Sequence, residues 1–402
     1  MAKLTDIQNK ERIAVVTVGY NRLNSMQRLL SSLLNADYSK YVNVPLVISL
    51  DCSGCTELYN YVNNFSWPFG DKYVRIQEKR LGLKQHILTC GDLTDYFKAV
   101  ILLEDDIFVA KDFYNYSVQM VDAYESDSTI ASISLYSNEM NGFCWLPLTY
   151  LHNNSDVFAV QAVSTWGECW TSKMWREFRL WLSNAEIPWD DIDMPLQIKH
   201  WGNAWSKFFD AYMILENKFS IFPYTSLTTN FSDAGEHGGA NNTIVQVNLQ
   251  YGNREYHTKP FAELVHYDIY SNNIDIAAHL NIPLTNLCID LYGIRPNNTK
   301  KRYYLTVKRL PYKVIKSFGL YLRPQELNVI ENIDGNDIFL YDTSEMTSMP
   351  MGFGVTKRIM YYLHGFNYKY LPAACWGNIL VLGGKIRHKY FKKKRNDKVM
   401  YF

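Results

Sequence analysis

Three adjacent carboxylates, Glu104, Asp105 and Asp106, follow directly on the apolar run Ala99-Val100-Ile101-Leu102-Leu103. Like charges packed this closely cost free energy unless a cation or hydrogen bonds offset them. A divalent ion shared with a diphosphate is one solution, and hard oxygen ligands suit Mn2+ or Mg2+, which take only one or two carboxylates beside phosphate oxygens. In an extended segment Glu104 and Asp106 share a face while Asp105 points away. A solvated acidic loop that caps the next helix is the plain alternative. A second apolar run ends in Asp51-Cys52-Ser53-Gly54. Asp51 could accept a hydrogen bond from the imide of a base, or cap a helix beginning near Thr56. Arg22 and the turn Arg80-Leu81-Gly82-Leu83-Lys84 could hold ribose and phosphate, with Gly82 allowing close backbone approach. An ordinary solvated turn would read the same.

These groups need a scaffold, and the pattern of the first 140 residues supplies one. Buried-strand runs are expected at 13–18, 45–50, 73–77, 99–103 and 129–134, and helical spacing at 26–33, 56–64, 84–97 and 111–124. This alternation predicts an α/β fold, a mainly parallel central sheet flanked by helices. Ligands of such sheets sit beyond the carboxyl ends of the strands. Thr17, Val18, Tyr20 and Arg22, then Asp51, then Glu104 to Asp106 all fall at such ends. From residue 266 onward the pattern shifts toward short helices and basic runs. We therefore read 1–265 as one domain and 266–402 as an appended, mostly helical region.

Composition narrows the class. Forty-one basic against 40 acidic side chains leave a net charge of +1, which argues against a dedicated nucleic-acid binder. Seven cysteines without regular spacing fit a reducing compartment. The N-terminus is polar with no signal-peptide core, and no apolar run reaches the ~20 residues of a membrane span, so a cytoplasmic protein is expected. Seven of the ten tryptophans lie between Trp166 and Trp205, and indoles make good platforms for sugar rings.

Taken in order, these segments resemble the GT-A-fold glycosyltransferases, in particular N-acetylglucosaminyltransferase I and its bacterial relatives, over residues 13–239. Ile48-Ser-Leu-Asp51 is similar to the uridine-contacting strand end, and Glu104-Asp-Asp106 resembles the EDD form of the metal-binding DxD motif. The resemblance implies that Asp106 binds the metal while Glu104 and Asp105 contact a UDP-sugar. It also implies a histidine ligand to metal or phosphate from Asp233-Ala-Gly-Glu-His237-Gly-Gly, although a lone loop histidine is commonly just exposed. Ser164-Thr-Trp166-Gly-Glu168-Cys-Trp170 resembles the loop that closes over donor and acceptor, with Trp166 and Trp170 as sugar contacts.

An inverting transfer needs a carboxylate base near the acceptor hydroxyl. Trp189-Asp190-Asp191 matches the Trp-Asp-Asp of the animal enzyme, yet the spacing to Pro223 places the equivalent position at Asn203, which cannot act as a base. Asp190, Asp191 and Glu168 are then the candidates; Asp190 and Asp191 also suit plain helix capping. The expected reaction moves a sugar, such as N-acetylglucosamine, to a saccharide or lipid-linked glycan in bacterial surface-polysaccharide synthesis. A non-enzymatic glycan binder on a degenerate scaffold is one rival, favoured by Asn203. A sugar-phosphate nucleotidyltransferase is another, but Gly19-Tyr-Asn-Arg22 is too glycine-poor for its phosphate loop. Residues 385–402 hold eight Lys or Arg and one Asp, and suit either peripheral attachment to the inner membrane face or a solvated tail.

Overall fold

The computed structural model describes residues 11–233, 245–297, 299–350 and 354–363, with scattered residues between 369 and 383. Its main sheet is built from β1 (Ile13–Gly19), β2 (Leu46–Leu50), β3 (Lys72–Ile76), β4 (Ala99–Glu104), β6 (Ile130–Ser134), β7 (Val157–Val160), β8 (Glu168–Thr171), β9 (Phe219–Pro223) and β11 (His266–Tyr267). The order is β11-β7-β9-β6-β8-β4-β1-β2-β3, with β8 antiparallel to both of its neighbours. Two short strands, β5 (Ile107–Val109) and β10 (Thr228–Asn230), pair antiparallel beside it.

Every residue of β1 is buried, because helices cover both faces of the sheet. Ile13 and Val15 join the cluster formed with Met26, Leu29 and Leu33 of α1 (Leu23–Leu34) and with Phe113 and Met120 of α4 (Phe113–Tyr124). Ala14, Val16 and Val18 point the other way, toward α3 (Leu83–Gly91), α5 (Ser172–Asn184) and α7 (Trp205–Leu215). α2 (Thr56–Asn64) follows the second strand, and α6 (Leu196–Lys199) is a single turn. The tryptophan crowding is in large part this second core: the ring of Trp170 lies 4.7 Å from Trp175 and 5.7 Å from Trp205. The 84–97 helix is shorter than expected, ending at Gly91 with a 3-10 turn over Asp92–Asp95.

The C-terminal region departs from the helical expectation. It forms a second, four-stranded sheet of β12 (Leu287–Asp290), β13 (Tyr303–Thr306), β14 (Tyr312–Phe318) and β15 (Ile338–Met346), in the order β12-β13-β15-β14. Its strands are rich in aromatic and β-branched residues, which suit a pleated surface, while the basic residues pair on the solvent side, as Arg302 does with Asp342 and Lys313 with Glu345. Tyr267 of β11 donates to Glu326 at 2.7 Å, tying this region to the main sheet.

Candidate functional site

Parallel pairing fixes where the functional side chains meet. Val18 is in register with both Ser49 and Glu104, so the strand ends carrying Arg22, Asp51 and the acidic triplet emerge at one edge of the sheet. There a cleft of about 1520 Å³ opens, lined by Val18, Tyr20, Arg22, Asp51, Arg80, Gly82, Lys84, Glu104, Asp105, Asp106, Trp166 and Asn203. Gly19 lies at the end of β1 and lines the cleft, and a Cβ there would meet the terminal methyl of the flexible Met26 side chain.

The carboxylate of Asp51 organises the turn opposite it. It accepts from the backbone N–H groups of Cys52 and Leu81 at 2.8 Å and of Gly82 at 2.9 Å. Gly82 has φ +77°, a conformation that side chains rarely adopt, and leads into α3. Asp51 does not cap α2, whose N-cap position is Cys55; it clamps strand end to turn. Behind it the buried His86 ring is 2.8 Å from Ser49 Oγ, and burial lowers its pKa to about 4, against the pull of Asp51, so it stays neutral. Arg80 lies over the Tyr20 ring, and Lys84 bonds Asn203 Oδ1 at 2.9 Å.

The acidic triplet is concentrated negative charge held in a confined place. Burial, with repulsion from Asp106 and Asp105, raises the Glu104 pKa to about 8. Burial also raises Asp105 to about 6, although Arg22 opposes the shift. Arg22 is the compensating cation, bonding Asp106 Oδ2 at 3.1 Å and both oxygens of Asp105. Asp106 Oδ1 is buried and has no partner among the described residues, as is Ser232 Oγ, which also lines the cleft. An orphaned carboxylate oxygen beside two further acids fits a hard divalent cation. Among the described residues no set of three His, Cys, Asp or Glu side chains converges as a ready-made metal cage.

Several expected site residues lie elsewhere. Thr17 is wholly buried within β1 and does not reach the cleft. Trp170 sits in the core with no exposed surface, because β8 is an interior strand covered on both faces, so it cannot stack on a sugar. Glu168, on the same strand, is buried and does not line the cleft; burial raises its pKa well above the usual carboxylate range, outweighing the Ser164 N–H that it accepts. Asp190 and Asp191 are exposed on a turn outside the cleft, Asp191 facing Lys300 at 3.5 Å. His237 and residues 385–402 lie outside the described residues.

The structure adds residues that sequence reading missed. Asp210 of α7 lines the cleft and accepts from Val163 N–H at 2.9 Å. Burial raises its pKa to about 7, a value suited to proton transfer near neutrality. An acid inside the apolar run Phe208-Phe209-Asp210-Ala211-Tyr212-Met213 was its sequence signal. Trp145 and Trp201 expose indoles to the cleft, and Trp145 is held at φ +58°, rare for a bulky residue.

No protein-family model matches the chain, and a search of the curated proteins finds no match either. Among solved structures it is partly similar to S. aureus TarS in complex with UDP-GlcNAc, at 15% identity and a TM-score of 0.36, covering 56% of this chain and 60% of that one. It is likewise similar to a mannosyltransferase from Pyrobaculum calidifontis in complex with GDP-Man and Mn2+, at 14% identity and TM-score 0.34, covering 54% and 56%. A third is GalNAc-T7 with UDP, GalNAc and Mn2+, at 18% and 0.38, covering 54% and 43%. The matched part is thus less than two thirds of each of these chains.

Proposed function

We propose that this protein is a metal-dependent, inverting glycosyltransferase of the GT-A type, with residues 1–265 as its catalytic region and 266–402 as an appendage. It moves a sugar from a UDP-sugar to a saccharide hydroxyl. The observation that carries this reading is the convergence of Asp51, Arg22, the turn at 80–84 and the acidic triplet on one cleft at the carboxyl edge of the sheet.

Asp51 and the turn it clamps hold the nucleoside, while Arg22 and Lys84 lie within the same cleft for the diphosphate. Asp106 would hold Mn2+ or Mg2+; the resemblance of the motifs adds His237, which lies outside the described residues, as a further ligand. The ion, when bound, supplies positive charge to the departing diphosphate. The bond from the anomeric carbon to the diphosphate oxygen breaks, the bond to the acceptor oxygen forms, and the acceptor proton passes to a carboxylate. Asp210 is our assignment for that base. It lines the cleft, has no ion pair such as Asp105, Asp106 and Asp233 have, and accepts one backbone N–H, from Val163, where Asp51 accepts three; Glu104, the other cleft acid without an ion pair, stands inside the triplet beside Asp106. Trp166, Trp145 and Trp201 are the platforms for sugar rings. A cytoplasmic role in bacterial surface-polysaccharide synthesis, with N-acetylglucosamine as the transferred sugar, follows from the resemblance of the motifs.

The test is UDP release by the purified protein from a panel of UDP-sugars, with Mn2+ and with saccharide acceptors. Release that accelerates with acceptor and stops with chelator supports the reading. UDP binding with no turnover on any acceptor instead favours a glycan-binding scaffold.

A further inference from the structure

The stretch Asp268-Ile269-Tyr270-Ser271-Asn272, which leaves β11 for the second sheet, is wound around its own first carboxylate. Asp268 Oδ1 accepts from the N–H groups of Tyr270 at 2.9 Å and Asn272 at 2.8 Å, and the Ser271 N–H donates to the Asp268 carbonyl at 2.9 Å. The winding holds Ser271 at φ +64°, uncommon outside glycine, and both Ile269 and Ser271 line the cleft. This loop sits between the two turns that carry the exposed indoles. On one side Asn141 Nδ2 donates to the Tyr270 carbonyl at 3.2 Å, and the Asn141 carbonyl accepts from the Trp145 N–H at 2.8 Å. On the other side Ile269 and Tyr270 pack with Ile192, Met194 and Ile198, and the Ile198 carbonyl accepts from the Trp201 N–H at 3.0 Å. Arg295, just after β12, fastens these parts together. It is buried, with Nε donating to the Ile289 carbonyl at 2.8 Å, one terminal nitrogen bonding Asp268 and the other Asp193, and the Tyr270 ring 3.9 Å from its guanidinium. A planar fork with fixed donor directions sets the mutual position of all its partners, which a lysine ammonium does not.

We propose that the 268–272 loop is the acceptor-side wall of the cleft, with Ser271 as a specificity-determining contact to the acceptor saccharide. Arg295 is its positioning residue, fixing the distance between the Trp145 and Trp201 platforms. The proposal rests on the reading of the cleft as a glycosyltransferase site, and it gives the C-terminal region a part in choosing the substrate. Platforms on two separate turns grip one ligand only if their spacing is held to about 0.5 Å, which takes supporting side chains that are themselves locked by packing and hydrogen bonds. The loop and its arginine are such a support. The Ser271 hydroxyl, able to donate and to accept, suits a sugar hydroxyl, and the indoles suit its apolar C–H faces.

Tryptophan-fluorescence titration of the full chain with cellobiose, maltose, lactose and chitobiose, in UDP and Mn2+, tests it beside a calorimetric titration of UDP. The parent is expected to bind at least one of these disaccharides. Arg295→Lys, which keeps the charge and loses the fork, should weaken that binding at least about tenfold while UDP affinity stays within about twofold. Ser271→His adds bulk in a backbone conformation that histidine tolerates, and should change the ranking of the disaccharides at an unchanged melting temperature. That second variant carries the test if Arg295→Lys does not fold. Equal loss of UDP and disaccharide affinity in Arg295→Lys would give Arg295 a general structural role and overturn its part. Unchanged disaccharide affinity and ranking in both variants overturns the wall, as does a parent that binds none of the four, while UDP binding would still uphold the transferase reading. Disaccharide binding that responds to both substitutions, in a parent that binds no UDP, would strike the transferase reading and leave the wall as a saccharide site.

Discussion

Arg22 stands in the cleft as the charge that makes an acidic triplet tolerable, bridging Asp105 and Asp106. Removing it leaves carboxylates uncompensated in a confined site. Arg22→Met is expected to destabilise the protein by roughly 1–3 kcal/mol, less than a fully buried pair because the guanidinium is partly exposed, and Mn2+ should restore much of that loss. Thermal melts with and without the ion measure both. Asp210 yields a second prediction. With Asn there, turnover should fall by roughly 10²–10⁴-fold while UDP affinity holds. In the parent, activity should rise with pH through about 7, since the base acts deprotonated. Full activity in Asp210→Asn removes the assignment. The acidic triplet, Asp51 and Arg22 were legible in sequence because they end strands. Asp210 was not, because its burial depends on Val163 folding across it, and Trp170 misled because neighbouring tryptophans in sequence say nothing of which side of a strand is covered.

At the level of elements, the contact of α3 with α5 is set by a glycine. A Cβ on Gly91 would lie 2.1 Å from the Trp175 ring, and that indole is further held by its N–H donating to Asp92 at 2.9 Å. Gly91→Ala should therefore cost about 1–3 kcal/mol, read by denaturant unfolding, with no change in metal binding. A neutral outcome would mean that the two helices can separate freely. The first sheet was readable because its interior strands are continuous apolar runs bounded by turn residues. The second sheet was not. β14 is exposed along most of its length, and its lysines, Lys313 and Lys316, stand three apart around Val314 and Ile315, a spacing that also suits a surface helix.

For the whole molecule, stability should depend on pH through buried acids that hold the two sheets together. Glu326 accepts from Tyr267 across that junction, and burial raises its pKa to about 7. A carboxyl whose folded pKa is raised stabilises the fold at pH below its ordinary value and loses that contribution as pH rises through the folded value. The midpoint of thermal unfolding should fall between pH 5 and 8. Glu326→Gln should flatten that fall and exceed the parent in stability at pH 8 by on the order of 2 kcal/mol. A parallel decline in both proteins would assign the effect elsewhere. The overall α/β plan was evident from alternation alone, whereas the junction at Glu326 joins residues 59 positions apart in sequence and has no local signature.

In the proposed reaction Asp106 and a divalent cation would together hold a nucleotide diphosphate in this cleft. Calorimetric titration of UDP into the protein, in Mn2+ and then in chelator, addresses it directly. Binding should saturate with Mn2+ and be at least about tenfold weaker with chelator, with the same loss in Asp106→Asn whether or not the ion is present. Equal UDP affinity in all of these conditions would contradict it.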